Sequence, residues 1–319
     1  MYGDLGYMGM SFQSSFGTAN VSSMDYMPIV SESLTHEIEQ IVTQTLQARF
    51  EEGPSYAGQE NFKGDVVMEV HPIHVVKLLK AWSGQSSPTL VGSVYTHRVI
   101  PVQTAWDNFA ALPPVTVEIY RDAGNSSYLF YDMCVDALTF EIANGALWRT
   151  TVGFVGGKFQ KNAKAAPTYI PGSAYPFDVT SLQLGGAANV DHSKVTIKMN
   201  NKLKPMFFLN GLRTPGRILR GDKRTIDISG TTVYMNDTQA DIFRAQTAQA
   251  LVINARGQSL TTSQWADFFI RIPQMRYTTY PANIAGPGLI EVGYSGVAKY
   301  DESSATMIEF TMQNTRSGY

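Results

Sequence analysis

Apolar and polar residues alternate in short runs along most of this chain, and only two stretches carry a helical stripe. In "SESLTHEIEQIVTQTLQARF" (31–50), Leu34, His36 and Ile38 alternate with Thr35, Glu37 and Glu39. Period two predicts a half-buried strand, although residues 35–50 also admit a helix. "GDVVMEV" (64–70) reads as a strand, and "HPIHVVKLLKAW" (71–82) as a helix with Pro72 in its first turn and Gly84 beyond its end. Ile73, Val76, Leu79 and Trp82 fall on one side of that helix. The strands "VYTHRVIP", "PVTVEIY", "YLFYDMCVDALTFEI" and "LWRTTVGFVGGKF" follow, separated by turn formers such as "DAGNSS" and "ANG". Three prolines in "KNAKAAPTYIPGSAYP" (161–176) mark a linker.

After the linker the order restarts. "SKVTIKM" (193–199) and "TIDISGTTVYM" (225–235) are strands, and a helix is expected from Gln239 to about Ala250. Thr238 and Asp241 fit the capping signature of its first turn, and Ile242 and Phe243 would face a sheet. "ADFFIRI", "QMRYTTY" and "GLIEVGYSGVAKY" complete this half. The phrase "TTVGFVGGKF" (150–159) returns as "IEVGYSGVAKY" (290–300), aligning Val152 with Val292, Gly153 with Gly293, Phe154 with Tyr294 and Gly156 with Gly296. Gly64 and Gly230 both lie on strands that run into a helix. Matched landmarks in the same order predict a mainly β chain of two tandem similar domains, 28–160 and 177–319. Residues 1–27, rich in Gly, Met, Tyr and Ser without periodicity, form an N-terminal arm whose Met and aromatic side chains could dock on a neighbour.

The length of 319 residues suits two domains with a core each, and 16 Tyr with 16 Phe favour strands. No positively charged segment precedes an early apolar core, since the first cation is Arg49, and no run of 18 apolar residues predicts a membrane span. The single cysteine, Cys134, lies in an apolar run and reads as a buried structural thiol. Catalytic patterns are missing. Gly293–Val297 lacks the last glycine of a nucleophile elbow, "GPGLIEVG" does not reproduce a dinucleotide fingerprint, and His71 with His74 would supply half a metal site without a second pair. No enzyme activity, metal or cofactor is expected.

Charge is distributed unevenly within a formal net charge of minus 2. Residues 31–70 hold eight acids, among them Glu37, Glu39, Glu51 and Glu52, against two cations. The matching place in the second half, 192–224, holds nine cations, among them Lys202, Lys204, Arg213, Arg217, Arg220, Lys223 and Arg224, against one acid. A basic loop of this kind could grip phosphates. Equivalent segments of opposite sign instead suggest head-to-tail contact between subunits or rings, with complementary fields. Closing such contacts into a ring would also remove open strand edges.

The segments "FKGDVVMEVHPIHVVKLLKAWSG", "YTHRVIP", "PPVTVEIY" and "VDALTFEIANGALWRTTVGFVGGKF" resemble the major tail tube proteins of long, flexible-tailed bacteriophages. "RILRGDKRTIDISGTTVYMNDTQADIFRAQTAQALV", "RIPQMRYTTYPANIAGPG" and "GYSGVAKYD" are similar to the second domain of the two-domain form. The resemblance implies two β-sandwich or barrel domains, each with one flanking helix and a long β-hairpin, here at 34–63 and 194–224. It further implies a structural virion protein, assembled in the host cytoplasm, that builds stacked rings around a tape measure protein and conducts DNA during ejection. Two domains per chain imply trimeric rings with pseudo-sixfold symmetry, a hexamer of chains being the other option. Implied partners are other copies of the chain, the tape measure protein, the tail terminator and distal tail proteins, and DNA in transit without sequence-specific binding. A tandem β-sandwich binding module, such as a capsid decoration or receptor-binding protein, would share the composition but would not polymerise.

Overall fold

A computed structural model describes residues 3–46, 48, 50–104, 109–122, 124–283 and 287–319. The first half contains β1 (Tyr7–Phe12), β2 (Asp25–Met27), β3 (Ser31–Glu32), β4 (Thr35–Val42), β5 (Ser55–Glu69), α1 (Pro72–Ser83), β6 (Ser87–Val91), β7 (Val94–Val99), β8 (Val115–Tyr120), β9 (Ser126–Ala143) and β10 (Arg149–Ala163). The second contains β11 (Thr180–Leu184), β12 (Ala187–Ala188), β13 (His192–Asn200), β14 (Leu203–Met206), β15 (Arg217–Arg220), β16 (Thr225–Val233), α2 (Thr238–Arg244), β17 (Gln249–Ser259), β18 (Trp265–Thr279), β19 (Glu291–Lys299) and β20 (Glu309–Asn314). The protein is mainly β, with antiparallel pairing throughout its named strands.

Pairing repeats between the halves. In the first, β5 pairs β10, β10 pairs β9, β9 pairs β8 and β8 pairs β1. In the second, β16 pairs β19, β19 pairs β18, β18 pairs β17 and β17 pairs β11. The sequence landmarks meet in register: Gly64 stands opposite Phe154, and Gly230 opposite Tyr294. A Cβ on Gly64 would strike the Ser33 carbonyl, and one on Gly230 the Tyr294 hydroxyl. Glycine at both places therefore reflects close approach.

In the first half the phrase also has a local cause. Strands β9 and β10 form a long bent hairpin whose register shifts at Gly153/Phe154, and Gly156 and Gly157 follow at φ 103° and 95°. Only glycine takes these values without strain, so the hairpin turns here from one layer into the other. Residues 149–155 of β10 pair β5, while 156–163 pair only the part of β9 that joins β8.

One hydrophobic core runs through both halves. Phe268 of β18 is its hub, with ring centroids 5.7 Å from Phe140, 5.8 Å from Trp148, 6.1 Å from Tyr175 and 6.3 Å from Phe310. Strand β20 pairs β18 on one edge and β7 on the other, tying second half to first. Cys134 is buried beside Leu112, whose carbonyl accepts from its Sγ at 3.7 Å.

Several expectations are corrected. Helix α1 ends as expected, with Gly84 left-handed at φ 93°, but it is buried on nearly every side. Val76, Leu79 and Trp82 are buried and Ile73 half-buried, while Val75, Leu78, His74 and Lys77 are buried too. Helix α2 is shorter than expected. It stops at Arg244, Gln246 takes φ 52°, and Gln249 already starts β17, where Leu251, Ile253 and Ala255 point inward. Ile242 and Phe243 pack half-buried on the core. Thr238 is the first helical residue rather than the cap, and Asn236 Oδ1 accepts from its backbone N–H at 3.0 Å. Residues 7–12 lie within the molecule: β1 sits between β2 and β8, with Tyr7, Met8 and Met10 buried. Strand β10 extends through Ala163, and Tyr175, in the proline-rich stretch, is fully buried. Strand β4, read as half-buried, is exposed at every residue but its last.

Candidate functional site

The surfaces that could join copies of this chain are the two long hairpins and the sheet between them. Strands β4 and β5 make the first hairpin; β13 and β16 make the second, with β14 and β15 folded into its tip. Their registers correspond, because Ile38 stands opposite Glu60 and Met199 opposite Ile226. Their environments differ. Strand β13 has β16 on one edge and residues 137–143 of β9 on the other, whereas β4 pairs β5 alone among the described strands. Met199 is 0% exposed and packs in the core, whereas Ile38 is 47% exposed. Leu46 and Phe50, near the tip of the first hairpin, stand fully in solvent.

The seam between β9 and β13 makes β5, β10, β9, β13, β16 and β19 one continuous sheet. Its outward face is polar and its charges oppose one another. Arg149 stands in register with both Glu69 and Glu141, and Lys198 with Asp227.

The expected interface residues fall into three groups. Glu37 pairs with Lys63 at 2.9 Å, while Glu39, Glu51 and Glu52 are exposed and in no ion pair among the described residues. Arg49, counted with that segment, lies outside the described residues. Lys202, Lys204 and Lys223 are exposed. The arginines are engaged: Arg213 bonds Glu60 at 2.8 Å, joining the basic hairpin to the acidic one inside the chain. The Glu60 backbone N–H also donates to the Arg213 carbonyl at 2.9 Å. Arg217 stacks on Phe109 and Phe208, each ring centroid 5.9 Å away. Arg220 and Arg224 both donate to Asn201 Oδ1, at 3.0 and 2.8 Å. Asn201, Phe109 and Phe208 were not marked by the sequence, since their partners are remote along the chain.

The histidines at the start of α1 are held by their surroundings. The His71 ring nitrogen Nδ1 lies 3.1 Å from the Gly172 carbonyl, and burial pushes the His74 ring down to about 4, so it stays neutral. No cluster of three metal-ligating side chains occurs among the described residues. No helix there is long and apolar enough to cross a membrane.

A family model described as phage tail tube protein matches residues 3–306. The chain belongs to the phage tail tube protein family. It is thus a structural component of a phage tail, built to associate with copies of itself, and the surfaces above are those of a tail tube protein. No individual curated protein matches it. The match ends before β20, the strand that ties the halves together.

Proposed function

We propose that three copies of this tail tube protein close into a ring of six pseudo-equivalent positions, with the halves β1–β10 and β11–β20 as the repeating units. The rings stack into a tube around a tape measure protein and later conduct DNA into the host. The observation that carries this reading is the unequal cover of β4 and β13. Within one chain the first half covers the leading hairpin of the second, a head-to-tail contact between unlike surfaces. Head-to-tail contacts generate rings when their rotation closes. The uncovered edge of β4 leaves the corresponding contact open for another chain, and a bare edge of this length is an association site unless something pairs it.

The polar face of the continuous sheet is the wall that DNA would pass. Arg149 and Lys198 stand opposite acids across strands, which lowers the positive charge available to displace counterions from phosphates and slow the duplex. Assembly in the host cytoplasm, with a tail terminator and distal tail proteins at the tube ends, completes the proposal. Negative-stain microscopy of the purified protein tests it. Rings with three chains and six lobes, or tubes built from them, are the expected result. Discrete monomers at high protein concentration, as a capsid decoration or receptor-binding module would give, contradict it.

A further inference from the structure

We infer that Arg220, Arg224 and Asn201 form a receptor for a carboxylate from a second copy of this chain, supplied by Glu51 or Glu52 at the tip of the β4–β5 hairpin. The choice of occupant rests on the self-assembly proposed above; the case for an anion does not.

Two guanidinium groups converge on one neutral oxygen, Asn201 Oδ1. Asn201 is wholly buried, and its amide nitrogen donates to the carbonyls of Trp82 and Val135. Arg224 lies over the Trp82 ring, 5.0 Å from its centroid, and also donates to the Val102 carbonyl. Neither arginine has an ion pair among the described residues, and the buried Nη2 of Arg220 has no hydrogen-bond partner. An amide oxygen cannot offset two cations, and like charges held together out of water repel. Burial, with Arg220 alongside, pushes Arg224 down to about 9. An anion beside the two half-buried guanidinium groups would offset their charges through charge-assisted hydrogen bonds.

The pair borders a groove of about 790 Å³ that also presents Lys223, Lys299, Ala298 and Met307. Such a groove accepts an acid flanked by apolar side chains. The first hairpin carries that combination: Glu51 and Glu52 are exposed and in no ion pair among the described residues, beside Phe50 and close to Leu46. A nucleic-acid phosphate suits the guanidiniums but not the rest of the groove. Asp222 and Asp227 in its lining disfavour a densely charged polyanion more than a single carboxylate, and its apolar residues suit an acid with apolar neighbours.

Disulfide trapping in the full-length protein tests the contact, and Cys134 stays silent because it is buried. A Glu52→Cys, Lys223→Cys double variant should give a covalent ladder on mild oxidation, and each single variant should not. Charge reversal supplies an independent arm. Glu51→Lys with Glu52→Lys should slow association about tenfold or more, and adding Arg220→Glu should restore most of it. Arg220 is chosen because Arg224 packs on Trp82. Unchanged association in the Glu51→Lys, Glu52→Lys variant overturns the inference. So does stabilisation of the wild type, but not of Arg220→Gln, by inorganic phosphate or duplex DNA when the hairpin reversals have no effect. A ladder and a successful swap without rings under the microscope would keep this contact and sink the ring.

Discussion

Strands β4 and β13 occupy the same place in the two halves and lead separate lives. Both precede a strand carrying a glycine opposite an aromatic residue, and both pair that strand in the same register. Strand β13 is closed on its outer edge by β9, and Ile197 and Met199 are buried. Strand β4 has no such cover, and Ile38 and Ile41 face solvent. The strands' own residues account for part of the difference, since β13 alternates Val195, Ile197 and Met199 while β4 has Ile38, Ile41 and Val42. The rest comes from what lies alongside: β9 of the first half borders β13, whereas among the described strands β5 alone borders β4. An apolar strand position that is a core site in one repeat is exposed in the other, where the proposed ring would cover it.

The sharpest break in this comparison is a pair of matched truncations. Met199→Ala should cost the unassembled protein about 2–5 kcal/mol, the usual loss for emptying a packed core site. Ile38→Ala at the corresponding position should stay within about 0.5 kcal/mol. Urea denaturation of the two variants gives both values, and equal losses would remove the distinction.

Acidification comes next. His192 begins β13, whereas the corresponding stretch before β4 has no histidine. Burial pushes its ring from 6.5 to about 4, and the ring packs edge-on against Tyr294. The folded pKa is depressed, so the stabilisation is complete above 6.5 and is lost as the pH falls toward 4. His74 is depressed to about 4 as well and adds to the same slope. His192→Gln should show a shallower loss than the wild type between those limits in urea midpoints.

The glycine pair probes what the halves share. Gly64→Ala and Gly230→Ala should each destabilise by about 1–3 kcal/mol, because both added methyls meet filled space. Opposite signs at the two positions would argue against equivalence. The smallest effect belongs to Arg213→Ala, which removes a half-exposed bridge to Glu60 and should cost about 0.2–1 kcal/mol, less at high salt. A larger loss would mean that the two hairpins depend on each other inside one chain.

Much of this arrangement was legible in the sequence, for local reasons. Pro72 and Gly84 bracket α1, and the repeated phrase marks the strands that return in each half. Elements decided by distant partners were not legible. Strand β1 is buried on both faces, so "YMGMSF" shows no alternation and reads as a structureless arm. In "RAQTAQALV", Ala and Gln favour a helix, yet residues from Gln249 gain pairing with both β11 and β18, and the sheet prevails. The period of β4 predicted its conformation but not its burial, which depends on what covers it. Counting charges located the basic segment, but the withdrawal of Arg220 and Arg224 from solvent depends on Asn201 and Trp82, 119 residues apart.

The central claim is that the cover β9 gives to β13 is supplied to β4 by another chain. Hydrogen exchange on β4, compared between monomer and assembled protein, measures it most directly. The β4 amides that lie outside its pairing with β5 should exchange freely in the monomer and become protected on assembly, approaching those of β13. Assembled particles in which these β4 amides exchange as fast as in the monomer would contradict it.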